Sequence, residues 1–215
     1  MDSAEDMRFA AALPAAMLTL AAFIAVPAIT SAAAATSPPR SAQSLYSGCV
    51  TCHQIQGWGT SDGNIPNIAG QHLRYVEHQI RQFRAGVRVD DAMQVVAAHP
   101  EFSDPISIRS LARYISELAP NPAPLHGPGE ALAGASETYA RICAACHGAD
   151  GEGVDAQAVP RLAGQQFPYL LRQIKLAAQL HRELAPPEMA SALRGQSDRQ
   201  KQALADYLSR LSPSH

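Results

Sequence analysis

Cys49 and Cys52 are followed at once by His53, and Cys143 and Cys146 at once by His147. Two thiols three positions apart with an imidazole directly behind them is the spacing of covalent haem attachment. The reason is mechanical. Residues i, i+3 and i+4 share one face of a helical turn, so both thiols reach one edge of a flat macrocycle while the imidazole lies under its centre to bind iron. The two motifs use all four cysteines of the chain, leaving none for a structural disulfide, a further metal site or a catalytic nucleophile. A redox dithiol or half of a zinc site would explain one such motif. Two of them, with the same residues following at the same interval, favour haem c, one per motif.

An iron held by His53 or His147 on one side needs a sixth ligand on the other. A methionine thioether opposite histidine raises the potential of an electron-carrying haem. Met93 and Met189 stand at corresponding places in the two halves, and each is the one methionine of its half. Flexible core filling is the bland alternative for a methionine, and His78, His99 and His181 are rival ligands. Pro66 follows His53 by 13 residues, and Pro160 follows His147 by 13. A ligand histidine needs a partner for its other ring nitrogen, usually a carboxylate or a backbone carbonyl. A carbonyl in a chain of fixed φ would hold the ring firmly, against the plainer reading of a turn proline.

The elements that position these groups read as helices. Leu73, Val76, Ile80 and Phe83 recur at helical spacing, as do Ile108, Leu111, Ile115 and Leu118. In the second half Phe167, Leu170, Leu171 and Ile174, then Leu204, Tyr207, Leu208 and Leu211, do the same. Ser41 opens a helix running into the first motif. Ser103 and Ser197 are the expected N-caps of the closing helices, with Gln200 completing a capping box on the second. Met93 and Met189 fall in short apolar stretches, and 57–64 and 148–154 read as Gly-rich loops. Gly148, Gly151 and Gly153 follow no strand, which counts against a phosphate loop. No alternating apolar pattern suggests a sheet, so the fold class is all-α.

The halves are an internal duplication. Pro-x-x-Ala-Gly-Gln occurs at Pro66–Gln71 and Pro160–Gln165, and Tyr75, Gln79 and Ile80 pair with Tyr169, Gln173 and Ile174 at an offset of 94. Met93 and Met189 lie 96 apart, so the register drifts locally. The expected organisation is a leader over 1–35, a first domain over 41–119, a linker over 120–131 and a second domain over 132–215. The linker, with Pro120, Pro122, Pro124 and Pro128, should be extended and stiff. Each domain of about 80 residues is small for a self-sufficient core, and aromatics make up 6% of the chain. A buried haem would supply the missing apolar mass.

No charged residue lies between Arg8 and Arg40. That segment reads as a signal peptide, with small residues at 31–35 for cleavage, or as a retained membrane anchor, since it is long enough to span a bilayer. Export suits thioether attachment. Without Asp2, Glu5, Asp6 and Arg8, there remain 16 acidic residues (19 less three) and 16 basic (17 less one). A near-neutral chain with two lysines carries no basic strip for nucleic acid.

Taken together, Cys49-x-x-Cys52-His53, Pro66-x-x-Ala69-Gly70-Gln71 and Met93, then Cys143-x-x-Cys146-His147-Gly148, Pro160-x-x-Ala163-Gly164-Gln165 and Met189, resemble the two-domain dihaem cytochromes c of the c4 group. The resemblance covers about 41–211. It implies two tandem class I cytochrome c domains joined by the Pro-rich linker, with two covalent haem c groups, each ligated by His and Met. It also implies a periplasmic electron carrier whose redox partners are a terminal oxidase, a cytochrome bc1-type complex or a periplasmic dehydrogenase. The chain departs from that pattern at Gln54, where the group usually has Gly, and in a longer loop from Met93 to Phe102. Two other readings stay open. One is a haem subunit of a membrane-bound dehydrogenase or oxidase. The other is a dihaem peroxidase or thiosulfate-oxidising enzyme, which a methionine on each iron and the lack of a spare cysteine disfavour.

Overall fold

In the computed structural model the described residues are 41–179 and 185–213. The expected leader over 1–35 and His181 lie outside them. The first half contains α1 (Ala42–Tyr46), α2 (Val50–His53), α3 (Leu73–Arg84), α4 (Asp91–Ala97), a 3-10 turn at Pro100–Ser103, and α5 (Pro105–Ser116). The second contains α6 (Leu132–Ile142), α7 (Ala144–His147), a 3-10 turn at Asp155–Gln157, α8 (Phe167–Ala178), α9 (Pro187–Arg194) and α10 (Asp198–Ser209). Among the described residues the one β feature is an isolated bridge, Val154 to Val159.

The packing repeats with the sequence. α5 packs on α1 and α3, as α10 packs on α6 and α8; α4 lies against α3, as α9 lies against α8. Val76, Ile80 and Phe83 of α3 and Ile108, Leu111 and Ile115 of α5 are buried together with Leu45 and Tyr46. Leu170, Ile174, Leu204, Leu208 and Tyr139 form the matching core. The α3, α5, α8 and α10 residues among them are apolar positions the helical spacing predicts; Leu73 and Leu118, also predicted, are half-buried. Truncating Leu111, 2% exposed, to Ala would cost about 2–5 kcal/mol.

Two local expectations are corrected, and two regions gain structure that the sequence left open. The helix opening at Ser41 does not run into the first motif: α1 ends at Tyr46, and Cys49 caps a separate turn of helix, α2. The short apolar stretches around Met93 and Met189 form helices, α4 and α9. The N-cap of α5 is Asp104, not Ser103; its carboxylate accepts from the amides of Ile106 and Ser107, both at 3.0 Å. A carboxylate ahead of Pro105 satisfies two amides at once, whereas Ser103 already bonds back to the Pro100 carbonyl. The linker, expected to be extended and stiff, also bonds to the second half. Leu125 N donates to Gln166 Oε1 (3.1 Å), Phe167 N to Leu125 O (2.8 Å) and Arg210 Nη2 to Gly127 O (2.8 Å). The capping box of Ser197 and Gln200 on α10 is present as expected.

Candidate functional site

Each histidine of the paired motifs ends a four-residue helix, α2 or α7, and both are buried. His53 Nδ1 lies 3.1 Å from the Pro66 carbonyl oxygen, and His147 Nδ1 lies 3.2 Å from that of Pro160. A carbonyl only accepts, so Nδ1 carries the proton and Nε2 carries the lone pair. Burial lowers the affinity of His53 for a second proton, although the bond to Pro66 works the other way. A neutral imidazole with Nε2 as donor atom is the form that binds iron.

The loops behind the histidines are built to bring those carbonyls in. Gly59 N donates to His53 O (3.1 Å), and Gly153 N donates to His147 O (2.8 Å). Both glycines have positive φ, 74° and 73°. A Cβ on Gly59 would lie 2.1 Å from the Ile65 carbonyl oxygen and 2.6 Å from that of Pro66; on Gly153 it would lie 2.5 Å from Pro160 O. Only glycine lets the chain fold back closely enough for the proline carbonyl to reach the ring.

The four thiols are unpaired; Cys52 and Cys146 are exposed, Cys49 and Cys143 half-buried. Burial, with the neighbouring thiol adding to it, pushes Cys49 and Cys143 up to about 11. Redox dithiols depend on a depressed thiol pKa, and these two thiols shift the other way. Among the described residues no group of three or more His, Cys, Asp or Glu is arranged to hold a metal ion. That counts against a zinc site. The donor set of each short helix, two thiols and one Nε2, fits covalent haem c.

Met93 and Met189 each occupy the third position of their helix, α4 and α9, and both are half-buried. The Met93 amide is held by the capping carboxylate of Asp90 at 3.0 Å. The 96-residue offset thus leads to the same structural place. Among the rival ligands, His78 is exposed on α3, and His99 is an exposed cap of the Pro100–Ser103 turn.

Sequence reasoning missed two sets of residues. The first is a tyrosine latch: Tyr46 donates to Gln54 O at 2.8 Å, and Tyr139 donates to Gly148 O at 2.6 Å. Each fixes the residue just after the histidine, and each ring packs on a second tyrosine, Tyr114 or Tyr207. These pairs are offset by 93, so matching at 94 passes over them. The second is a reciprocal clasp between the halves. Gln71 accepts from Arg161 N (2.9 Å) and donates to Arg161 O (3.0 Å). Its counterpart Gln165 accepts from Asn67 N (3.0 Å) and donates to Asn67 O (2.7 Å). Asn67 and Arg161 are themselves counterparts, so the contact has the self-complementary form of a two-fold interface. His72 Nε2 and the Glu152 carbonyl (2.6 Å) mirror Gln166 Nε2 and the Trp58 carbonyl (3.1 Å) in the same way. The repeated Gln, visible in the sequence but unexplained there, joins the repeats.

Comparison with known proteins agrees with this geometry. The cytochrome c family model matches residues 40–118 and again 132–212. A thiosulfate dehydrogenase electron acceptor of Thiomonas intermedia (strain K12) is 34% identical, over 93% of this chain and 92% of its own. Cytochrome c4 of Azotobacter vinelandii is 28% identical, over 68% of this chain and 75% of its own. The crystal structure of reduced recombinant cytochrome c4 from Pseudomonas stutzeri superimposes with a TM-score of 0.68 at 22% identity, covering 82% of this chain and all of that one. With two attachment motifs on two tandem domains, two haem c groups and electron transfer as its role, this chain belongs to the cytochrome c family, among the two-domain dihaem members of the c4 group.

Proposed function

We propose that this chain is a periplasmic carrier that takes electrons from a thiosulfate-oxidising dehydrogenase and delivers them to a terminal oxidase, with His53 and Met93 ligating one iron and His147 and Met189 the other. When bound, each haem supplies a one-electron Fe(II)/Fe(III) couple. The chain's own part is to fix and tune. Pro66 and Pro160 hold the two imidazoles in one tautomer through their carbonyls. α4 and α9 present the methionines, and the glutamine clasp locks the two sites into one body. The carrying observation is that clasp: it joins the very loops whose Pro66 and Pro160 carbonyls support the histidines. The donor class is supported by the thiosulfate dehydrogenase electron acceptor among the relatives. A periplasmic location is supported by the apolar segment before Arg40; among the described residues no helix is long and apolar enough to cross a membrane.

Mixing oxidised protein with thiosulfate and a purified thiosulfate dehydrogenase should reduce both haems. Reduction by dithionite but not by the dehydrogenase would remove the donor assignment. In a potentiometric titration, Met93→Ala and Met189→Ala should each lower one potential and leave the other nearly unchanged. A variant that moves neither potential strikes that methionine from the ligand set.

A further inference from the structure

Arg88, in the turn between α3 and α4, is a cation shared by both repeats. Its Nη1 donates to Gln79 Oε1 of α3, and its Nη2 donates to the Tyr169 hydroxyl (2.8 Å) and Gln173 Oε1 (3.4 Å) of α8. Its Cζ lies 4.6 Å over the ring of Phe83. Gln79 and Gln173 are repeat counterparts, so the guanidinium sits where equivalent faces of the two domains meet. All three hydrogen-bond partners are neutral, and among the described residues no carboxylate forms an ion pair with it. Asp90 acts on it only at a distance. A part-buried guanidinium with five N–H donors, three of them spent on neutral acceptors, is a built site for an anion.

The site is close to the redox chemistry. Asp90, two residues beyond Arg88, accepts from the Met93 amide at 3.0 Å, so Arg88 lies in the turn that leads into the methionine-bearing helix. Met93 follows Arg88 by five residues. The resident group of that neighbourhood brings its own anions, because every haem c carries two carboxylates. We propose that Arg88, held by Gln79, Tyr169 and Gln173, is the counter-ion of haem carboxylate at the seam between the repeats and sets the potential of at least one haem. It is a positioning residue with one charge to contribute, and the inference rests on the dihaem reading above. A cation beside a centre whose oxidised form carries one more positive charge favours the reduced form.

The test uses the exported, full-length holoprotein, with haems counted by pyridine haemochrome before potentiometric titration. Arg88→Gln should keep two haems and lower at least one potential, by about tenfold in the oxidised-to-reduced ratio at fixed potential, or about 59 mV for one electron. Arg88→Lys should restore most of the shift. Tyr169→Phe, which removes only a hydroxyl, should produce a smaller shift in the same direction and serves if Arg88→Gln loses haem. Unchanged potentials with two haems bound, or equal shifts in the Lys and Gln variants, would overturn the assignment. So would a wild-type potential that follows inorganic phosphate concentration while that of Arg88→Gln does not, since the anion would then come from solvent. A wild-type protein with fewer than two haems would instead defeat the dihaem reading.

Discussion

The two repeats reach the same histidine geometry with different residues behind the histidine. In the second, Gly148 follows His147 at φ 77°, ψ 162°. In the first, Gln54 takes the same position at φ 64°, ψ 166°. That region is nearly closed to residues with a Cβ, at a cost of about 1–3 kcal/mol. Yet the Nδ1-to-carbonyl distances differ by only 0.1 Å, 3.1 against 3.2. The tyrosine latch and the glycine-bent loop are the same in both repeats, and they hold the site where the local chain resists. The residue after the histidine is therefore replaceable; the glycine that closes the loop behind it is not.

The seam shows a second difference. Asn67 and Gln165 are both buried, while Gln71 and Arg161 are half-buried. Asn67 Nδ2 donates to the Gly164 carbonyl at 3.0 Å, and its counterpart Arg161 Nη1 donates in the same way to the Gly70 carbonyl at 2.7 Å; Arg161 also carries an ion pair with Glu152 at 2.8 Å. The two-fold relation thus extends to the side chains, and the repeats differ in how deeply those side chains are buried and in the charge that Arg161 brings.

The loop glycines offer the strongest way to break the likeness of the repeats. Gly59→Ala should destabilise the holoprotein by about 3 kcal/mol or more, and Gly153→Ala by somewhat less, because the first Cβ meets a carbonyl oxygen at 2.1 Å and the second at 2.5 Å. Chemical denaturation followed at the haem absorbance reads both; equal and small losses would mean that the loops can move aside. The clasp comes next. Gln165→Ala strands the buried amide and carbonyl of Asn67 and should cost about 2–3 kcal/mol, against about 1–2 for Gln71→Ala at its wetter partner. The double variant should lose less than the sum, since either substitution loosens the seam the other uses. Strict additivity in the same assay would show that the halves dock without the clasp. The smallest effect sharpens the backbone comparison: Gln54→Gly should stabilise by about 1 kcal/mol, and Gly148→Gln should destabilise by about 2. The Gly148 position has open space, its nearest foreign atom being Glu152 N at 3.9 Å, so any loss there reports conformation rather than a clash. Loss of stability in Gln54→Gly would show that the glutamine side chain contributes more than its backbone costs.

The attachment motifs, the proline 13 residues beyond each histidine and the apolar faces of α3, α5, α8 and α10 were legible because each is a local pattern with a fixed period. The capping box at Ser197 was legible for the same reason. The methionine helices were not, because α4 has seven residues and α9 eight, too short for a period to show. The cap at Asp104 was hidden by matching Ser103 with Ser197 at 94, when the closing helices are offset by 93.

The chain's covalent order thus decided by itself which residues can grip two haems and that they come in duplicate, since those requirements are met within one or two turns. Folding in three dimensions decided how the duplicates face one another: the glutamines that clasp the opposite loop, and Arg88 held by α8 of the other repeat. Those partners lie 81 to 98 residues apart, a separation at which no local period or propensity says which side chains will meet. Their pairing depends on the two loops and α8 being brought together, and only the packed chain does that.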